Sequence, residues 1–369
     1  MEKRDNYTFL TQGPVHKVIL TMAVPTIISM LITSLYNIAD TFFVGQLDTQ
    51  SIAAVGVSFS VMFFIQAVSF FFGNGSGNYI SRELGARNID SARTMASTGF
   101  FLALLCGLVI TLAGLFTLEP LSVWLGSTPT ILPYTKEYLS IIFLGAPFVT
   151  TSLCLNNQMR FQGNARFAAW GIVSGAVLNV LLDPLFIFVF DMGVAGAALA
   201  TVMGQAISLA ILLVMSHHGN TLSVNFRNVS LRSVYLREIF AGGTPSLSRQ
   251  GLGCISVVLL NIAAGAYGDA AIAAMSIVSR ITMFVFSVVV GLGQGFQPFC
   301  GFCYGAHLYD RLRHGYVFSV KVGTAFLVII GVFGFIYSDT LVSVFRDDME
   351  VEAVGSLSLR CHLITDPFC

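Results

Sequence analysis

Long apolar runs separated by short polar turns set the pattern of this chain. A helix needs about 20 mostly apolar residues to cross a bilayer. Runs that meet this lie near 18–45, 52–80, 94–118, 135–157, 165–190, 194–216, 236–266, 271–301 and 315–338. A further run begins near 352 and ends with the chain at Cys369. The pattern predicts an all-α, polytopic membrane protein.

The runs repeat. Sliding the chain on itself so that Pro25 meets Pro245 pairs Ile52-Ala53-Ala54 with Ile272-Ala273-Ala274, and Gly73 and Gly75 with Gly293 and Gly295. The same shift pairs Gly85-Ala86 with Gly305-Ala306, Arg93 with Arg313 and Pro147-Phe148 with Pro367-Phe368. An even number of runs in the first copy keeps both copies in one orientation, so the expected architecture is two parallel six-helix lobes about an axis along the membrane normal. The first lobe is read as 1–216, the cytoplasmic linker as 217–234 and an incomplete second lobe as 235–369. The second copy stops part-way through its fourth helix, the tenth span. This chain is therefore expected to be a truncated form of a twelve-span protein.

Composition agrees with the pattern. The chain is 55% hydrophobic and only 10% charged, with a mean hydropathy of +0.79, where a soluble domain carries roughly 25% charge. The net charge of zero gives no electrostatic case for nucleic acid. The segment 1–17 is polar and lacks the apolar core and small-residue cleavage site of a signal peptide. Lys3, Arg4, Arg82, Arg87, Arg160, Arg166, Arg311 and Arg313 gather on one side of the runs, and Asp48, Asp191 and Asp269 lie on the other. Basic residues favour the cytoplasmic loops, so a multi-pass protein of the cell (inner or plasma) membrane with a cytoplasmic N-terminus is expected. The cysteines are seven and mostly lie in apolar runs. An odd count without an extracellular cluster argues against a disulfide framework, and Cys300-x-x-Cys303 reads as packing thiols.

Two acids stand out against this background. Asp183 lies in an apolar run four residues after Asn179, on the same helix face, and is followed at once by Pro184, which frees a backbone acceptor one turn back. An acid at membrane depth is costly unless paired, hydrated or neutralised, and so marks function. Asp40 lies in the first run with Tyr36 on the same face. Two carboxylates close together in low dielectric cannot both stay ionised cheaply. The shift that relates the lobes puts Leu260 opposite Asp40, so the lobes match in scaffold but not in charge. Pro25 and Pro184 are read as hinges. Gly73–Gly77 and Gly291–Gly295 follow no strand and precede no Lys, so they read as close helix packing and not as nucleotide loops. Arg249, Arg280 and Lys321 fall within runs and carry no assigned role. No ATP-binding, hydrolase or redox-cofactor motif is present, so no enzyme activity and no cofactor are expected. The 32 Phe and 12 Met suit an adaptable apolar surface for hydrophobic cations.

Ala23-Val24-Pro25, the Asp40 helix, Ser81–Arg87 (SRELGAR), Met159–Arg166 (MRFQGNAR) and Asn179–Pro184 (NVLLDP) together resemble the multidrug and toxic compound extrusion (MATE) family, in its DinF-like branch and MepA-type group. The resemblance implies a twelve-span MATE fold and a secondary antiporter. It would export small hydrophobic cationic compounds in exchange for H+ or Na+, with the bilayer as its only standing partner and the monomer as its state. It also places the coupling site, for a proton or for Na+ as the one metal in question, on Asp40, Asn179, Asp183 and Thr201, with Tyr36, Tyr138 and Asn156 as the polar shell. A different branch uses an acid in helix ten, which Asp366 matches poorly. Two rival readings stand beside this one: a lipid-linked precursor flippase of related two-lobe fold, and an inactive truncated remnant.

Overall fold

The structure, a computed structural model, describes residues 6–218, 221–265, 269–338, 340 and 349–365. Among these residues every regular element is a helix. We number the helices α1 (Asn6–Gln12), α2 (Val15–Val44), α3 (Thr49–Gly85), α4 (Ile89–Phe116), α5 (Leu118–Trp124), α6 (Leu132–Phe161), α7 (Ala165–Pro184), α8 (Gly193–His218), α9 (Ser233–Gly265), α10 (Asp269–Gly305), α11 (Tyr309–Ile336) and α12 (Met349–Thr365). A π-helical turn, Leu185–Val189, extends α7. The described helices α2, α3, α4, α6, α7 with its π turn, α8, α10 and α11 are long and apolar enough to cross a membrane. Neither α1 nor α5 is visible as a run, because each has only seven residues.

The helices are apolar nearly all round, so residue size and small polar groups distinguish inside from outside. Phe116, Trp170 and Leu181 are exposed, while Ser58, Ser69 and Thr98 are buried. These three hydroxyls satisfy themselves on the carbonyl one turn back: Ser58 on Ala54 at 2.7 Å, Ser69 on Ile65 at 2.6 Å and Thr98 on Thr94 at 2.8 Å. Such residues let helices pack closely through small side chains. The central element of the first lobe is α6, whose apolar window is 61% buried against 17% for α11.

The repeat holds to the residue. The shift that carries α3 onto α10 carries Thr49 to Asp269 and Gly85 to Gly305, and it carries α4 onto α11 end for end. Both joints close with the same turn. Asn88 N–H donates to Glu83 O at 2.8 Å around a left-handed Arg87 (φ 61°), and Leu308 N–H donates to Cys303 O at 2.8 Å around a left-handed His307 (φ 58°). This is the six-to-one helix stop, built twice from different residues.

The lobes interlock across the pseudo-axis: α2 packs on α10, and its repeat partner α9 packs on α3. Gly75 and Gly295 explain why. A Cβ at Gly75 would strike the backbone of Ile239, and one at Gly295 the backbone of Ala23. The two glycine-rich motifs are therefore close helix crossings. The crossings lie toward the face that carries the N-terminus, here the near face. Ser34 and Ser287, with their hydroxyls 3.1 Å apart, are a deeper contact. Beyond them Leu35 and Phe42 of α2, and Leu259 of α9, are exposed.

At the near face the linker is docked. Leu222 N–H donates to Gln162 Oε1 at 2.7 Å, and Asn225 N–H donates to Ser97 Oγ at 3.1 Å. Helix α1 straps both lobes: Asn6 donates to Gln162 O at 3.1 Å and Asn164 Oδ1 at 2.8 Å, while Arg311 of α11 donates to the carbonyls of Leu10 and Gly13. Cys303 is a free thiol packed with Phe299 and Phe302, in keeping with its reading as a packing residue. Asp366, Pro367 and the side chain of Arg280 lie outside the described residues. Arg249 and Lys321 are not buried.

Candidate functional site

The candidate site is assembled where α7 crosses α8. Gly175 and Gly204 face each other so closely that a Cβ on either would meet the other's carbonyl within 3 Å (2.8 and 2.9 Å). One turn along, the same contact brings Asn179 to Thr201, and Asn179 Nδ2 donates to Thr201 Oγ1 at 3.3 Å. Thr201 passes its own proton to Ala197 O at 3.1 Å. The amide oxygen of Asn179 is left without a donor.

Asp183 follows on the same face and is fully buried. Both of its carboxylate oxygens lack a hydrogen-bond donor, as does the buried Oδ1 of Asp40. Pro184 does not break the helix. The chain continues past it as a π turn, with Phe190 N–H reaching back to Leu185 O at 3.0 Å. Such turns gather at functional sites because they re-aim the side chains around them. Helix α2 likewise runs unbroken through Pro25, where Ser29 Oγ donates to the proline carbonyl at 2.8 Å.

Tyr36 lies one turn before Asp40 on α2, which packs on α7, and Tyr138 lies near the same far face at the start of α6. Tyr138 is 1% exposed and spends its hydroxyl on Met62 Sδ at 3.4 Å. The structure thus brings together Asp40, Asp183, Tyr36 and Tyr138, with Asn179 and Thr201 beside Asp183. It sets Asn156 apart. Asn156 lies eighteen residues beyond Tyr138 on α6, about 27 Å along the axis, and donates to Ala168 O at 2.6 Å. Its role there is to tie α6 to the start of α7.

The pocket is rich in acceptors and poor in donors. Four buried oxygens, two of Asp183 and one each of Asp40 and Asn179, have no partner. Buried acceptors in that state are costly, and a hard monovalent cation or a shared proton would satisfy them. No cluster of three or more His, Cys, Asp or Glu suited to a metal ion occurs among the described residues. The all-oxygen set disfavours a transition metal. Sequence reasoning missed a second buried polar cluster, gathered around Arg160 where α6, α3 and α10 meet. The available signal was that Asn74 and Gln294 occupy matching positions in the two glycine motifs.

Comparison with known proteins matches the MatE family model to residues 25–185 and 250–368, most of both lobes. The multidrug export protein MepA of Staphylococcus saprophyticus subsp. saprophyticus is 27% identical over 362 residues, which is 97% of this chain and 80% of that protein. Among solved structures, an outward-facing conformation of a multidrug resistance MATE family transporter of the MOP superfamily superposes with a TM-score of 0.93 at 26% identity, over 100% of this chain and 83% of that one. A MOP superfamily transporter from Pyrococcus furiosus Vc1 (DSM3638), whose binding pocket is described as of reverse polarity suggesting a different function, superposes with a TM-score of 0.91 at 27% identity, over the same shares of each chain.

Proposed function

The chain belongs to the MatE family, and from this premise we propose that it is a secondary antiporter that exports hydrophobic cationic compounds in exchange for H+ or Na+. The observation that carries the reading is the set of four donorless oxygens on Asp40, Asn179 and Asp183. With the near face cytoplasmic, the pocket lies in the outer half of the first lobe.

Each side chain then has a task. Asp183 and Asp40 take up the incoming cation or proton, Asn179 offers its amide oxygen, and Thr201 fixes the amide by accepting from its nitrogen. Neutralising the acids removes the charge that holds a cationic compound in the cleft, so uptake of the coupling ion and release of the exported compound go together. Bending of α2 about Pro25 and of α7 at Pro184 adjusts the spacing of the two acids. The lobes then rock so that the pocket faces the cytoplasm, where the ion leaves and a new compound binds. The protein works as a monomer in the cell membrane.

The test is ethidium efflux from liposomes containing the purified chain, under imposed Na+ or pH gradients. The expected result is gradient-driven efflux in the wild type that Asp183→Asn abolishes. Retained coupled efflux in Asp183→Asn would overturn the site. Absence of efflux under every gradient, with translocation of a lipid-linked pyrophosphate instead, would replace the antiporter with the flippase.

A further inference from the structure

The lobes meet at a buried guanidinium that makes no ion pair among the described residues. Arg160, next to the end of α6, is 2% exposed. Its Nη1 donates to Gln294 Oε1 at 2.5 Å, and its Nη2 to Gln297 Oε1 at 3.3 Å and more weakly to Asn74 Oδ1 at 3.4 Å. Asn74 in turn donates to Ser246 Oγ at 2.9 Å. Arg160 and Asn74 belong to the first lobe, whereas Gln294, Gln297 and Ser246 belong to the second. Every path from Arg160 through these bonds crosses the lobe boundary.

The partners are not a random set. Asn74 and Gln294 are repeat mates, each held between the glycines of its own motif. The close crossings that Gly75 and Gly295 permit bring these two amides to one place, and a single arginine donates to both. A side chain that served only the first lobe would find its acceptors there.

We propose that Arg160 is a positioning residue that latches the two lobes at the near face, and that loss of its bonds to Gln294 and Gln297 is the step that lets the lobes part on that side. This rests on the rocking-lobe reading above. The chemistry of the acceptors suits a latch that must open. Arginine stays charged at every working pH, and a charged donor makes stronger hydrogen bonds than a neutral one. Neutral amide acceptors leave no stranded carboxylate when the contact breaks, whereas parting a buried ion pair leaves an uncompensated charge in low dielectric. On opening, the guanidinium is hydrated and the amides find water. Two other contacts span the same face and are weaker candidates. The Arg82–Glu238 pair is about a third exposed on each side, where solvent screens it, and Arg311 grips only the short α1 and the turn after it, not a spanning helix of the first lobe.

The test reads lobe separation directly. Non-cysteine spin labels are placed at Asp90 and Asp310, exposed repeat mates in the first turns of α4 and α11, with the purified chain in lipid nanodiscs. A second pair, Asp90 and Phe116 at the two ends of α4, reports on the integrity of the first lobe. In Arg160→Gln the ratio of separated to closed lobes should rise about tenfold, the weight of one charge-assisted bond. Arg160→Lys, charged but without the forked geometry, should fall between, and Gln294→Leu with Gln297→Leu should reproduce the Arg160→Gln shift. An unchanged Asp90–Asp310 distribution in both Arg160→Gln and the double glutamine variant overturns the latch. If Arg160→Gln also broadens the Asp90–Phe116 distance, the arginine is needed to fold the lobe, and the double glutamine variant alone decides. A distance shift without any ethidium efflux would keep the latch and remove the antiporter reading; efflux without a distance shift would do the reverse.

Discussion

The acid pocket and the arginine seam are both buried and polar, yet they are built on opposite principles. The pocket lies inside one lobe and has acceptors in excess: neither carboxylate oxygen of Asp183 has a donor, and nor does the amide oxygen of its neighbour Asn179. The seam lies between lobes and has donors in excess, met by the neutral oxygens of Asn74, Gln294 and Gln297. An acceptor-rich pocket within a rigid body asks for a cation that comes and goes. A donor-rich seam between two bodies asks for a particular arrangement of those bodies. Buried charge alone does not distinguish a ligand site from a joint. Which body supplies the partners does.

The largest expected effect is at the pocket. Asp183→Asn keeps shape and volume but removes the charge, so gradient-driven ethidium efflux should fall to the level of empty liposomes while the melting temperature holds. Next comes the scaffold of the seam. Gly75→Val must displace the backbone of Ile239, at a cost of about 1–3 kcal/mol that thermal unfolding would register. Gly56→Ala, with open space around it, should leave the melting temperature unchanged or slightly raised. Equal effects at the two glycines would remove the argument for close crossing.

Smaller effects sharpen the contrast. Thr201→Ala removes the acceptor that orients Asn179, a single hydrogen bond of about 1 kcal/mol, so the apparent affinity for the coupling ion should weaken roughly fivefold with the maximal efflux rate kept. Glu238→Gln breaks the half-exposed Arg82 pair and should cost no more than about 1 kcal/mol, a loss that fades as salt is added. The least is expected at the start of α3. The backbone N–H of Ser51 holds the Asp48 carboxyl below the usual carboxylate range. Asp48 therefore contributes stability above that range, and the contribution is lost as pH falls through the lowered value. The gap in melting temperature between wild type and Asp48→Ala should be constant near neutrality and close in acid. A gap that widened in acid would contradict the cap.

Much of this architecture is legible in the chain itself. The spans follow from run length. The repeat follows from Pro25, Gly73, Gly75 and Arg93 meeting their partners at one shift. Asp40 and Asp183 are conspicuous because acids are rare in apolar helices. The distance of Asn156 is legible in its spacing, since eighteen residues along one helix carry it about 27 Å from Tyr138; its bond to Ala168 O is not, because that partner lies on another helix. Arg160 escapes notice because a basic residue at the end of a run reads as an ordinary loop charge. Only the crossing of α3, α6 and α10 turns it inward.

By itself the sequence determined the helical membrane architecture, the doubling of the lobes and the acids of the pocket, since each is written in local periodicity, composition or self-similarity. Tertiary structure decided which oxygens are left without donors, where the broken turn after Pro184 goes and which lobe answers Arg160. Those outcomes depend on how closely glycine-lined helices approach. A one-dimensional pattern shows that two faces are small enough to meet; the choice of partner is made only when the helices cross.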